Sequence, residues 1–201
     1  MIADEFRALL RGGEAIQKIV ADHLISDGPG AHVSQPALDF IADMTRQRFQ
    51  IPVDAALRVI VVGSAKLGFS IIEKTVPMNT VKPRYRDYVP GVSDIDIAMV
   101  SAALYAKLWA GLALFGANKQ KFPWRSKLSD YMFHGWIRPD KFPFENPPQV
   151  CKDWTRLRDE LNRSAHFSHA PLRCAIFQSP YFLSLYQQRS VRDAMLAEEA
   201  I

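Results

Sequence analysis

Residues 57–62 read Leu-Arg-Val-Ile-Val-Val, a nearly continuous run of apolar and mostly β-branched side chains. Such residues fit a pleated strand, and a strand without polar alternation keeps both faces out of water. It therefore needs a covering layer on each side, which confines the chain to layered architectures. Two further strand candidates follow, at 94–100 (Asp-Ile-Asp-Ile-Ala-Met-Val) and 172–177 (Leu-Arg-Cys-Ala-Ile-Phe).

Helical patterns separate them. Phe6, Leu9, Leu10, Ile16, Ile19, Val20 and Leu24 recur at helical spacing, weakened in the middle by Gly12-Gly13. Residues 26–32 form a Gly/Pro loop, and Ser34 is positioned to cap a helix running to about Phe49. Residues 72–92 hold three prolines and read as a long loop or irregular hairpin. Ser101 caps a helix containing Leu104, Leu108, Leu112 and Leu114, and a further helix spans about 150–164. Between those two, 115–149 is rich in proline and aromatics and predicts short helices and packed loops. Ser179-Pro180 opens a last helix to about 199, with Pro at the favoured first position. The expected fold is α+β or mixed α/β, with few, scattered strands separated by helices. Residues 1–50 are expected as a helical extension packed on a core of 51–201 that ends in the C-terminal helix.

At 201 residues the chain is one domain's worth, and 48% hydrophobic against 23% charged residues supports a packed core over disorder. A net charge of +4 tolerates anionic partners without itself indicating nucleic acid. Two cysteines, Cys151 and Cys174, make neither a disulfide framework nor a metal spacing. With charges spread through the first twenty residues and no apolar run of ~18–20, the expectation is a cytoplasmic protein without a membrane partner.

The chemistry concentrates in two places. In 94–100, strand alternation puts Asp94 and Asp96 on one face and Ile95 and Ile97 on the other. Neighbouring carboxylates repel, and a divalent cation relieves that repulsion; oxygen ligands with open positions suit Mg²⁺ bound to phosphates. A strand with a solvated acidic edge would carry the same pattern. The other place is Gly63-Ser64, where the buried strand ends. Glycine lets backbone approach a phosphate, serine adds a hydroxyl donor, and a following helix start favours anions. A plain strand-to-helix turn with a serine cap has the same residues.

Taken together, a hydrophobic strand, Gly63-Ser64, and Asp94-x-Asp96 inside "SDIDIAMVS" resemble the DNA polymerase β-like nucleotidyltransferase superfamily over roughly residues 50–180. The resemblance implies a nucleotidyltransferase-type mixed sheet flanked by helices, and an enzyme that uses Mg²⁺ or Mn²⁺. It would move a nucleotide from an NTP or dNTP to a hydroxyl with release of pyrophosphate. It assigns Asp94 and Asp96 as catalytic metal ligands, and Gly63, Ser64, Lys66, Ser93, Arg84, Arg86 and Arg173 to the nucleotide. Stretches such as "SAKLGFSI" and "SPYFLSLYQQRSVR" are similar to proteins of bacterial antiviral-defence loci and toxin–antitoxin pairs. That implies a nucleotide or oligonucleotide signal as product, or alternatively transfer onto tRNA or protein. Partners implied are a nucleic-acid acceptor or product, an effector or antitoxin, and a second copy of the chain.

Two departures qualify the match. Ser64 and Asp94 are thirty residues apart, a longer gap than the family's usual one. The extra stretch carries Lys66, Lys74, Lys82, Arg84 and Arg86 against Glu73 and Asp87, either as a solvated loop or as a flap over phosphates. The third carboxylate of many family members would fall on 172–177, where Arg173 and Cys174 stand instead, and no acid occurs from Asn162 to Arg192. A third acid would have to come from elsewhere in the chain, with Asp130, Glu145 and Asp153 as candidates, or from another subunit, or be absent altogether. Arg163, Arg173, Arg189 and Arg192 make that region basic, and His166-x-x-His169 lacks the partners of a zinc site. The four tryptophans suit core or loop anchoring, and one of them a base-stacking role. The missing acid also suits a non-catalytic regulator that binds nucleotide or nucleic acid.

Overall fold

A computed structural model describes residues 1–30, 32–76, 80–117, 122–167 and 170–200. The buried strands come together in one four-stranded mixed sheet, ordered β1-β4-β6-β5. These are β1 (Arg58–Val62), β4 (Ile95–Val100), β6 (Leu172–Phe177) and the short β5 (Trp136–Ile137). β1 runs antiparallel to β4, β4 parallel to β6, and β6 antiparallel to β5. A separate hairpin, β2 (Lys74–Val76) with β3 (Thr80–Lys82), lies in the long stretch between β1 and β4.

Alternation along β4 divides the interior in two. Ile95, Ile97 and Met99 enter the larger core with Val61, Leu172 and Ile176. There they meet α3 (Gln35–Phe49), α5 (Ala102–Ala117) and α7 (Gln149–Arg163) through residues such as Ile41, Leu104, Leu108, Trp154 and Leu157. Ala98 and Val100 point the other way, with Ile60 and Phe177, towards Leu183 of α8 (Pro180–Glu199). Asp96 belongs to this second face. Caps agree with the sequence: Ser34 accepts from the Ala37 amide at 3.4 Å and Ser101 from the Leu104 amide at 3.3 Å.

Near the N-terminus, α1 (Ala3–Arg11) ends on Gly12, and a short α2 (Ile16–Ile19) runs into a π-helical turn, Val20–Leu24. Phe6, Leu10, Ile19 and Leu24 pack with Leu67, Phe69 and Ile71 and with Val191 and Ala194 of α8. α3 instead belongs to the main core under the sheet. The region 115–149 holds α6 (Arg125–Phe133) and the unanticipated β5, whose Trp136 pairs with Phe177. Gly135 makes that junction possible: its φ is +72°, and a Cβ there would lie 2.3 Å from the Phe182 ring. Among the described residues no helix is long and apolar enough to cross a membrane.

The end of α8 is tied to α1 by charge. Glu198, its side chain only 3% exposed, meets Arg7 at 3.1 Å and Arg11 at 2.5 Å, and Arg7 lies 5.2 Å from the Tyr85 ring centroid. Burial alone would raise the Glu198 pKa; the Arg7 hydrogen bond, the Tyr85 hydroxyl and the two arginine charges reverse that and hold it below the ordinary value. A depressed carboxylate stabilises the fold above its unfolded pKa, about 4.3, and the contribution drains away as pH falls through the lower folded value. Glu198→Gln should therefore melt below wild type at pH 7, with the two converging in acid. Melting curves that coincide at every pH would show that the cluster contributes nothing.

Candidate active site

β1 ends at Val62, which pairs with Asp96 across the antiparallel ladder. The next residue, Gly63, turns the chain with φ 65° and ψ −147°, a conformation that glycine alone adopts readily. A Cβ on Gly63 would lie 3.2 Å from Asp96 Oδ2, so the bare backbone and the carboxylate face each other directly. Ser64 opens a single helical turn, α4 (Ser64–Leu67), closed by Gly68 in the left-handed region. Gly63, Ser64 and Asp96 line one small cleft. Its opposite wall carries Lys74 and Arg86 from the hairpin stretch and Gln187 and Ser190 from α8.

On the other side of β4, parallel pairing sets Arg173 of β6 in register with Asp96. Arg173 then reaches back along the same face, its Nε 2.9 Å from Asp94 Oδ2, while its side chain remains 59% exposed. The strand position expected to hold a third acid thus carries a cation paired to the first. Among the described residues no group of three or more His, Cys, Asp or Glu side chains converges as a metal site. Asp153 accepts from Gln149 within α7 at 2.9 Å, and neither Asp130 nor Glu145 lines the cleft.

Electrostatically the two aspartates differ. Asp96 is half-buried, and no donor among the described residues makes a hydrogen bond to its carboxylate. Desolvation pushes its pKa up; Lys74 opposes this, Asp94 adds to it, and Arg173 and Arg138 oppose it more weakly. Asp94, by contrast, has the Arg173 guanidinium as its partner.

The other sequence candidates distribute unevenly. Lys66 points away from the cleft: its Nζ donates to the carbonyls of Ser26 (3.0 Å) and Gly28 (3.4 Å), and burial lowers its pKa. Ser93 Oγ accepts from the Val89 amide at 3.1 Å and so closes the turn before Asp94. Arg84 donates to the Ile71 carbonyl at 2.9 Å and does not line the cleft. Arg86 does, while donating to the Ile72 and Pro83 carbonyls at 3.1 and 2.9 Å. His166 packs on Phe40, and His169 lies outside the described residues. Trp136 and Trp154 are buried; Trp109 and Trp124 are exposed. Lys74, one of the cations of the 72–92 stretch, lines the cleft, whereas nothing in the sequence singles out Gln187, Ser190 or Arg138. Gln187 is a polar residue at a helix position that turns out to be buried.

No family model matches the chain, and no curated protein or solved structure matches it either.

The raised Asp96 pKa has a stability consequence. The folded chain holds this proton more tightly than the unfolded one, so stability falls as pH rises above about 3.9, the unfolded value, through the folded pKa. A partly buried polar group without a partner costs ~1 kcal/mol, and a chain of this size shifts by about 2–4 °C per kcal/mol. With metals chelated at pH 7, Asp96→Asn should melt a few degrees above wild type, and the gain should vanish in acid. A variant melting lower at pH 7 would contradict the assignment of Asp96 as an uncompensated charge.

Proposed function

We propose that the cleft lined by Gly63, Ser64 and Asp96, with Asp94 beside it on the same strand, transfers a nucleotide from an NTP or dNTP to a hydroxyl acceptor, with Mg²⁺ or Mn²⁺. One observation carries the reading: a half-buried carboxylate without a hydrogen-bond donor lies directly against a bare glycine backbone, with a second carboxylate two residues away on the same strand. That donor set fits a hard divalent cation, which would be held by Asp94 and Asp96. When bound, such an ion supplies Lewis-acid neutralisation of phosphate charge.

The chain's own residues provide the rest. Gly63 offers backbone to a phosphate at close approach, and Ser64 offers a hydroxyl donor. Lys74 and Arg86, on the opposite wall, neutralise the triphosphate. In the reaction the acceptor oxygen bonds to the α-phosphorus and the α–β bridging bond breaks. Its electron pair leaves on pyrophosphate, and the hydroxyl proton is lost to solvent. The product expected from the resemblance, a nucleotide or oligonucleotide signal, belongs to the same proposal.

A second reading, a nucleotide-binding regulator without turnover, draws on the Asp94–Arg173 pair, because a guanidinium already neutralises one of the two carboxylates. Pyrophosphate release measured with each NTP and dNTP, with product sizing, separates the two. Asp94→Asn and Asp96→Asn should each lower turnover by roughly 10²–10³, the usual loss for a single electrostatic deletion. Gly63→Val should abolish nucleotide binding by filling the phosphate approach. Full activity in both folded aspartate variants would remove the site from consideration.

Arg173 competes with the cation for Asp94. An exposed ion pair is worth ~0.2–1 kcal/mol, so Arg173→Gln should tighten Mn²⁺ binding by up to about fivefold in calorimetry. Unchanged or weaker binding would show that the pair does not guard the site.

A further inference from the structure

Nucleotidyl transfer needs a second substrate, and the far side of Asp94 has the chemistry to hold one. Asp94 and Arg173 stand at one end of a cleft of about 450 Å³ that also takes in Arg138, Arg158 and Asn162. Pro139, Asp140 and Arg158 also line a neighbouring depression of about 530 Å³, so the two adjoin at these residues and are taken together as one groove. Its outer part adds Lys152 and Arg156 from α7, with the aromatic rings of Trp124 and Phe144.

The charge of this groove is lopsided. Arg138, Lys152, Arg156, Arg158 and Arg173 face only Asp94 and Asp140. Part of the positive charge is engaged: Arg173 with Asp94 at 2.9 Å, Arg138 with Asp140 at 2.8 Å, and Arg158 with its neighbour Asp159 at 2.8 Å. Lys152 and Arg156 have no carboxylate partner among the described residues. Two aromatic rings stand beside these cations. Trp124 is 41% and Phe144 65% exposed, and the Lys141 ammonium lies 4.1 Å from the Trp124 ring centroid.

Cations alone would suit any polyanion. Exposed rings beside them suit one whose flat faces are also open, which is a single-stranded nucleic acid: bases stack on aromatics while phosphates meet the cations. A duplex keeps its bases stacked internally and could use only the charge. We propose that this groove binds a single-stranded oligonucleotide. Its phosphates would lie along Arg138, Arg158, Arg156 and Lys152, its bases on Trp124 and Phe144, and its terminal hydroxyl towards Asp94. The strand's role as acceptor or growing product rests on the transfer reading above; its binding does not.

The test is fluorescence anisotropy with a short labelled single strand, as RNA and as DNA, and with the matching duplex, at several salt concentrations. Wild type is compared with Trp124→Ala/Phe144→Ala and with Lys152→Gln/Arg156→Gln. All four residues are exposed, and circular dichroism checks the fold. Wild type should prefer the single strand. The aromatic variant should lose about tenfold or more, since stacking is worth ~1–3 kcal/mol per base, with its salt slope kept. The charge variant should lower the log–log salt slope by about 0.7 per phosphate contact removed. Equal binding of duplex and strand, no binding at low salt, or variants that bind like wild type would overturn the proposal; so would affinity that follows Lys82, Arg84 and Arg86 instead. Pyrophosphate release without strand binding would defeat the groove and leave the transfer reading intact. Strand binding lost in these variants, in a chain that never turns over nucleotide, would do the reverse.

Discussion

The pairing of β4 on both edges governs everything around the candidate site. Antiparallel hydrogen bonding to β1 brings the Gly63 turn against Asp96, and parallel bonding to β6 brings Arg173 to its other side. Because side chains alternate, the strand that sends Ile95, Ile97 and Met99 into the main core must send Asp96 towards α8. A slip of one residue would exchange the two sets, putting carboxylates among the leucines and isoleucines of the main core. The apolar demand of the core therefore fixes the position of the charged pair, and the site inherits the rigidity of the central strand.

That position is electrostatically expensive. Asp96 loses water on the sheet face, feels the like charge of Asp94, and finds no donor to offset either. Lys74 and Arg86 answer from across the cleft, and Arg173 answers from the neighbouring strand by neutralising Asp94. The result is a carboxylate pair flanked by cations but not saturated by them. It is this arrangement that the proposed metal-bound triphosphate would complete, by bringing a small hard cation together with an anionic ligand. The groove beyond Arg173 continues the same positive field outward.

Much of this architecture was legible before any coordinates. The strand at 172–177 and the helix from Pro180 to Glu199 lie where periodicity, the Ser-Pro start and the apolar runs put them. Gly63, Ser64 and Asp96 do line one cleft, a meeting that the family resemblance implied and that the β1–β4 pairing brings about. What sequence could not supply is pairing between distant segments. The contact of Arg173 with Asp94 depends on the β4–β6 register, and the two-residue β5 owes its existence to Phe177 and to the Gly135 turn rather than to strand propensity. Lys66 is the plainest case. Its place after Gly-Ser suggested the nucleotide, yet the helical turn swings its amine to the carbonyls of Ser26 and Gly28. Likewise Gln187 and Ser190 reach the cleft only because α8 crosses that face of the sheet.

The central claim is that Asp94 and Asp96 together form a cation site that works with a nucleotide. A Mn²⁺ titration followed by electron paramagnetic resonance, with and without a non-hydrolysable triphosphate, addresses it most directly. Wild type should sequester Mn²⁺ more tightly when the triphosphate is present than the triphosphate does alone, and the double variant Asp94→Asn/Asp96→Asn should lose that excess. Identical partition of Mn²⁺ between free and bound forms in the two proteins would contradict it.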